Sequence, residues 1–129
     1  RTRDDPFSLA ERRRLIGTMA RAKPKWKGRV RVHALPDFPG DDEKWTRALG
    51  RKFSPLAFSV GSANAWVRRC AKKAGFEIDP APLFRRHEWV GTQIRARVRA
   101  GKKWAHLVPL PLREWMEKKG ARIITASQS

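Results

Sequence analysis

Ser54-Pro-Leu-Ala-Phe-Ser-Val-Gly-Ser-Ala-Asn-Ala-Trp-Val-Arg-Arg-Cys70, running on through Ala71-Lys-Lys-Ala74 to Gly75, is the stretch on which the fold turns. Stepping about 100° per residue from Ser62 places Ala63, Trp66, Val67, Cys70 and Ala74 on one side and Asn64, Ala65, Arg68, Arg69 and Lys72 on the other. The spacing predicts an amphipathic helix over 62–74, capped by Ser62. Gly75 should end it in a left-handed turn, with Phe76 folding back. No acidic residue falls between Ser62 and Gly75. A merely solvated helix face mixes signs, so the outer side reads as a surface for an anionic partner. Upstream, Ser54 before Pro55 reads as an N-cap followed by a first helical position.

Toward the N-terminus, Ser8-Leu-Ala-Glu11 has capping-box spacing, a hydroxyl and a carboxylate three residues apart. It predicts a helix from Leu9 to Ala22, with Leu9, Leu15, Ile16, Met19 and Ala20 on its apolar side and Pro24 as its stop. Arg29-Val-Arg-Val-His33 then alternates basic and apolar residues, the pattern of a strand with one dry and one cationic face, extending to Leu35. Pro36-Asp-Phe-Pro-Gly40 is dense in turn formers. After it, Asp41 caps a helix over 41–52 that carries Trp45, Ala48 and Leu49.

Toward the C-terminus, Ile94-Arg-Ala-Arg-Val-Arg99 repeats the alternation. A strand over 89–99, the turn Ala100-Gly-Lys-Lys103 and a second strand over 104–109 read as a hairpin with a basic tip. Pro111 opens a helix through Lys119, Gly120 ends it, and Arg122-Ile-Ile-Thr125 forms an edge strand.

The 129 residues suffice for one domain with a hydrophobic core. Thirty Lys and Arg against twelve Asp and Glu leave a net charge of +18, which opposes compaction unless a partner neutralises it. No apolar run approaches the roughly 20 residues of a membrane span, and no signal peptide is recognisable. Cys70 is the only cysteine; a reducing compartment, cytoplasmic or nucleoid-associated, is expected. The chain opens at Arg1 rather than Met, as a piece excised from a larger protein would.

The spacing of Ala57, Gly61 and Val67 resembles the DNA-binding helix-turn-helix, in which a small residue, a turn glycine and a β-branched residue stand at these intervals. Leu56, Val60 and Cys70 occupy positions that are usually apolar in the motif, while Ser62 departs from it. With the order helix, strand, helix, helix, strand, basic turn, strand, the resemblance implies an α+β winged helix-turn-helix: a helix bundle with a small antiparallel sheet and a basic hairpin. It implies double-stranded DNA as partner. Asn64, Arg68 and Arg69 would contact bases. Ser62, Lys72, Lys73, Arg95, Arg97, Arg99, Lys102, Lys103, Arg29 and Arg31 would contact the backbone.

On that reading the chain is a regulator, or a DNA-engaging accessory domain of a replication, recombination or mobile-element enzyme, and not itself an enzyme. An RNA-binding or ribosome-associated protein is the alternative. Trp26 and Trp89 have basic neighbours suited to base stacking, whereas Trp45, Trp66 and Trp115 read as core. Asp37 with Asp42-Glu43-Lys44 is too closely spaced for a nuclease metal site. His33, His87 and His106 lack partners at ligand spacing, so no metal is expected. No phosphate-cradling glycine loop and no cofactor motif is present. Oligomeric state is not legible.

Overall fold

The computed structural model describes residues 1–79 and 90–127. The chain divides into two compact units, one of Arg1–His33 with Arg85–Ser129 and the other of Ala34–Phe84.

In the first unit, α1 (Leu9–Ala22) starts with the capping box its sequence spells. Glu11 N–H donates to Ser8 Oγ at 3.2 Å and Ser8 N–H to Glu11 Oε2 at 2.9 Å. Glu11 is also the buried charge among the described residues of the unit, reached by Arg1 at 2.9 Å and Lys119 at 3.7 Å. The Ser8 backbone amide, ahead of the opposing effect of burial, and with help from the Ser8 side chain, Arg1 and Lys119, holds its carboxyl below the ordinary value of 4.5. A depressed folded-state pKa adds stability that is present above the unfolded value and is lost as pH falls through the folded one. Glu11→Gln is therefore expected to lower the melting midpoint by roughly 4 °C at neutral pH. The gap from wild type should close as pH falls below 4.5, and melts across pH 2.5–7 that keep it constant would exclude this role for Glu11.

α4 (Gly91–Arg99) ends at Gly101, whose φ is +64°. Lys102 N–H donates to Arg97 O at 2.9 Å and Gly101 N–H to Val98 O at 3.2 Å, the paired bonds that close a helix around a left-handed residue. A short 3₁₀ turn, Ala105–Leu107, leads to α5 (Leu110–Trp115). α5 continues through a π-helical turn, Met116–Gly120, into α6 (Ala121–Ala126). Val98, Val108, Met116 and Ile124 form the core, with Phe7, Ile94, Trp104, Leu112, Trp115 and Ala121 packed around them. The Phe7 ring meets the Trp115 indole edge-on at 5.4 Å.

In the second unit, Asp41 Oδ1 accepts from Lys44 N–H at 2.9 Å to cap α2 (Asp42–Lys52). β1 (Ser59–Gly61), α3 (Ala65–Lys73) and β2 (Glu77–Asp79) follow. The strands are parallel, with Ser59 beside Glu77, Val60 beside Ile78 and Gly61 beside Asp79. Parallel neighbours need a crossover, and α3 supplies it. Val60 and Ile78 are half-buried while the residues flanking them are exposed. Cys70, Ala71 and Phe76 are buried. Gly75, at φ +87°, stops α3 as expected; Phe76 N–H returns to Ala71 O at 3.0 Å.

The winged helix-turn-helix does not form. Ser54–Ala57 is a turn, closed by Ala57 N–H to Ser54 O at 3.1 Å, and Gly61 is the last residue of a strand. A helix short enough to fit between Pro55 and Gly61 is marginal alone, whereas Val60 gains a partner strand. The basic hairpin is a helix instead: Ile94 and Val98 reach the core at i, i+4 spacing while Ala96 is exposed. Gln, Ala and Arg favour helix, which satisfies its own backbone bonds without a neighbour. Trp89, where the first hairpin strand was to begin, and His87 lie outside the described residues. The stretch 29–35 has no strand, and no antiparallel pair occurs among the described residues. Arg122–Thr125 lies within α6, because Gly120 sits in the helix at φ −61° rather than ending it. No helix among the described residues is long and apolar enough to cross a membrane.

Candidate functional site

In open parallel α/β units, ligands bind outside the carboxyl ends of the strands. Here that end is Gly61, followed by Ser62-Ala63-Asn64 and the first turn of α3. Three sets of bonds fix the loop. Asn64 N–H donates to Ser62 Oγ at 3.1 Å. Asn64 Oδ1 accepts from the N–H groups of Trp66 at 2.9 Å and Val67 at 3.2 Å. Arg68 Nε donates to the Ser62 carbonyl at 2.5 Å. Asn64, not Ser62, is therefore the N-cap, and α3 starts two residues later than a cap at Ser62 predicts.

That shift redistributes the outward trio. The Asn64 carbonyl oxygen serves the helix and half-buried Arg68 turns back onto the loop. Arg69 is exposed beside an open groove of about 550 Å³ lined also by Arg68, Lys72, Phe76, Glu77 and Ile78. Lys72 and Lys73 are exposed in the last turn.

At the start of α3 stands an aromatic pair. Asp42 and Trp45 lie at i, i+3 on α2, the helix that packs on α3. The Trp45 and Trp66 ring centroids are 4.7 Å apart at 52°, and both residues are half-buried. Trp66 Nε1 donates to Asp42 Oδ1 at 2.8 Å. Although the chain is strongly basic, Asp37, Asp41, Asp42 and Glu43 crowd into the seven positions leading to this pair. Aromatic faces next to carboxylates favour a flat, positively charged ring.

In the other unit, the start of α4 has a different character. Val90 occupies the N-cap and makes no side-chain bond to the helix. Gly91 is exposed, and Arg95 Nη2 donates to Thr92 Oγ1 at 3.2 Å. Uncapped amides beside a hydroxyl and a guanidinium suit an anion such as phosphate. The remaining arginines do not make a stripe: Arg97 donates to Lys103 O at 3.3 Å and Arg99 to Arg3 O at 2.6 Å. Arg99 Nε is buried with no partner. Lys102 and Lys103, past Gly101, are exposed, as are Arg29 and Arg31. No three His, Cys, Asp or Glu side chains among the described residues group as metal ligands.

No family model matches the chain. Individual proteins do. It is 30% identical over 128 residues to the nicotinamide-nucleotide adenylyltransferase of Pyrobaculum arsenaticum, covering 95% of this chain and 70% of that protein. This chain belongs to the nicotinamide-nucleotide adenylyltransferase family. The adenylyltransferase of Methanosarcina acetivorans is 33% identical over 111 residues, 85% of this chain and 61% of its own length. That of Methanosarcina barkeri is 32% identical, with 58% of its length matched. The chain thus spans less than two thirds of these two relatives. Membership in an adenylyltransferase family, with its nucleotidyltransferase-like α/β fold, overturns the expectation of a non-enzymatic DNA-binding regulator. It removes the ground for double-stranded DNA or RNA as partner and for a nucleoid location.

Gly91 and Thr92 fall inside the run 89–99, whose alternation predicts a strand and so separates Thr92 from Arg95. Thr92 and Arg95 are i, i+3 neighbours only on a helix. Trp45 and Trp66 read as core from the sequence, and Asp42 only as part of an acidic run too closely spaced for a metal site. The crowding of acids around 37–43 in a basic chain was the available signal.

Proposed function

We propose that this chain forms part of an enzyme that transfers the adenylyl group of ATP to nicotinamide mononucleotide, giving NAD and pyrophosphate. A phosphate oxygen of the mononucleotide attacks the α-phosphorus of ATP, a P–O bond forms, and the bond to the β-phosphate breaks, its electron pair leaving on pyrophosphate. The nucleophile is already an anion at neutral pH, so the protein need not supply a base. Its task is to hold like-charged groups together and in line. Cytoplasmic operation goes with this reading.

The observation that carries it is the Pyrobaculum match, which runs through 95% of the chain. The geometry supports separate parts of the task. The uncapped start of α4, with Thr92 and Arg95, is suited to polyphosphate. Trp45 and Trp66 among carboxylates suit a pyridinium ring, which is cationic and flat, better than neutral adenine. The protein carrying this chain, incubated with ATP, magnesium and nicotinamide mononucleotide, is expected to produce NAD, detected by a coupled dehydrogenase. If neither nucleotide binds in calorimetric titration and no NAD forms, the reading fails.

A further inference from the structure

We propose that Asp42 is a positioning residue for the nicotinamide nucleotide, acting through the Trp66 indole; the inference rests on the adenylyltransferase reading above. Asp42 is the first residue of α2, where a carboxylate could simply complement the helix dipole. Asp41 already performs the capping, through Lys44 N–H at 2.9 Å, and Glu43 adds a second acid to the first turn. The Asp42 side chain instead accepts the indole N–H of Trp66 at 2.8 Å across 24 residues of sequence.

That bond is exposed, and water could serve both partners in its absence, so it adds little to stability. What it fixes is direction. The Trp66 backbone is set by the Asn64 cap, but its side chain still turns about two torsions. Asp42 and the contact with Trp45 remove that freedom. A ring oriented before the ligand arrives does not have to be ordered on binding. The bond also turns the polar edge of Trp66 toward α2.

The test uses the protein as it is expressed, with Asp42→Ala, Asp42→Asn, Trp66→Phe and the double variant Asp42→Ala/Trp66→Phe. Nicotinamide mononucleotide affinity is measured by calorimetry, KM and kcat by NAD formation, and Trp66 orientation by its indole ¹⁵N–¹H resonance. Asp42→Ala should move that resonance and weaken mononucleotide binding roughly tenfold. KM for ATP and kcat should stay within about twofold. Asn retains a carbonyl acceptor, so Asp42→Asn should restore most of the affinity and the resonance position. Trp66→Phe, which keeps a ring but loses the donor, should match Asp42→Ala, and the double variant should be no worse than either.

Wild type that does not bind the mononucleotide overturns the functional reading and this inference with it. Wild-type binding with no loss in Asp42→Ala overturns the inference alone. An Asn variant as weak as Ala means the carboxylate charge meets the ligand directly, which also overturns positioning. Thermal melts accompany each variant; should Asp42→Ala fail to fold, Asp42→Asn and Trp66→Phe decide, because a Trp66→Phe variant that binds the mononucleotide as tightly as wild type would exclude a pathway through the indole N–H.

Discussion

Replacing Gly120 by alanine is expected to lower the melting midpoint by roughly 8 °C, although alanine is the better helix former. A Cβ at Gly120 would lie 2.4 Å from Met116 Sδ, 2.7 Å from Trp115 Cζ3 and 3.1 Å from Trp115 Cε3. Met116 is buried and Trp115 is held edge-on by Phe7, so neither yields without disturbing the core. Overpacking of this kind costs about 3 kcal/mol. The gain in helix propensity offsets about 1 kcal/mol of it. Gly17 in α1 is the natural control: its Cβ would meet only the Arg21 guanidinium, at 3.1 Å, the far end of a long side chain. Gly17→Ala should leave the midpoint unchanged or raise it. Calorimetry on both variants separates them, and equal behaviour would discard the close-approach argument.

The largest functional loss is expected from Arg95→Ala, a fall of roughly a hundredfold in kcat/KM for ATP, the loss seen when one preorganised donor to developing charge is removed. Arg95 is half-buried against the start of α4. Exposed Gly91 gives it room, since a Cβ there would stand 3.0 Å from Arg95 Nη1. Thr92 Oγ1 receives its Nη2, so the guanidinium is held near the uncapped amides rather than swinging in solvent. Arg95→Lys should recover only part of the rate, because an ammonium keeps the charge but not the planar fork. Circular dichroism should show the fold intact. A folded Arg95→Ala variant within about threefold of wild type would take the start of α4 out of the phosphate-binding role.

The elements legible in the sequence are those specified by short-range chemistry. Ser8 with Glu11 gave the start of α1, Asp41 the start of α2 and Gly75 the end of α3, because caps and left-handed turns are decided by a few neighbouring residues. The errors lie where two periods fit one run. Ile94, Ala96 and Val98 alternate, yet Ile94 and Val98 alone are also one helical turn apart, and only the core decides between them. Ala57, Gly61 and Val67 fit a helix-turn-helix by interval, but Val60 has a partner in Ile78, 18 positions away, that no local pattern announces. Of the candidate site, Asn64, Ser62, Arg68 and Arg95 were visible as residues while their tasks were not. Asn64 and Arg68 were assigned to a ligand and are spent on the loop. Trp66 reads as core and Asp42 only as part of an acidic run too closely spaced for a metal site, since their bond joins helices that the sequence leaves unrelated.

The first unit is assembled from two stretches of chain with the second unit lying between them in sequence, and the bond from Arg99 to the Arg3 carbonyl spans 96 residues. To its host, the intervening unit is therefore a loop whose ends must meet. The entropy of such a closure grows only with the logarithm of its length, so doubling the loop costs about 0.6 kcal/mol. Lengthening or shortening the inserted unit, which carries α2, β1, α3 and β2, thus weighs little on the stability of the helices of its host. The part of the chain that bears the aromatic pair can be remodelled with little entropic penalty to the part that bears Arg95.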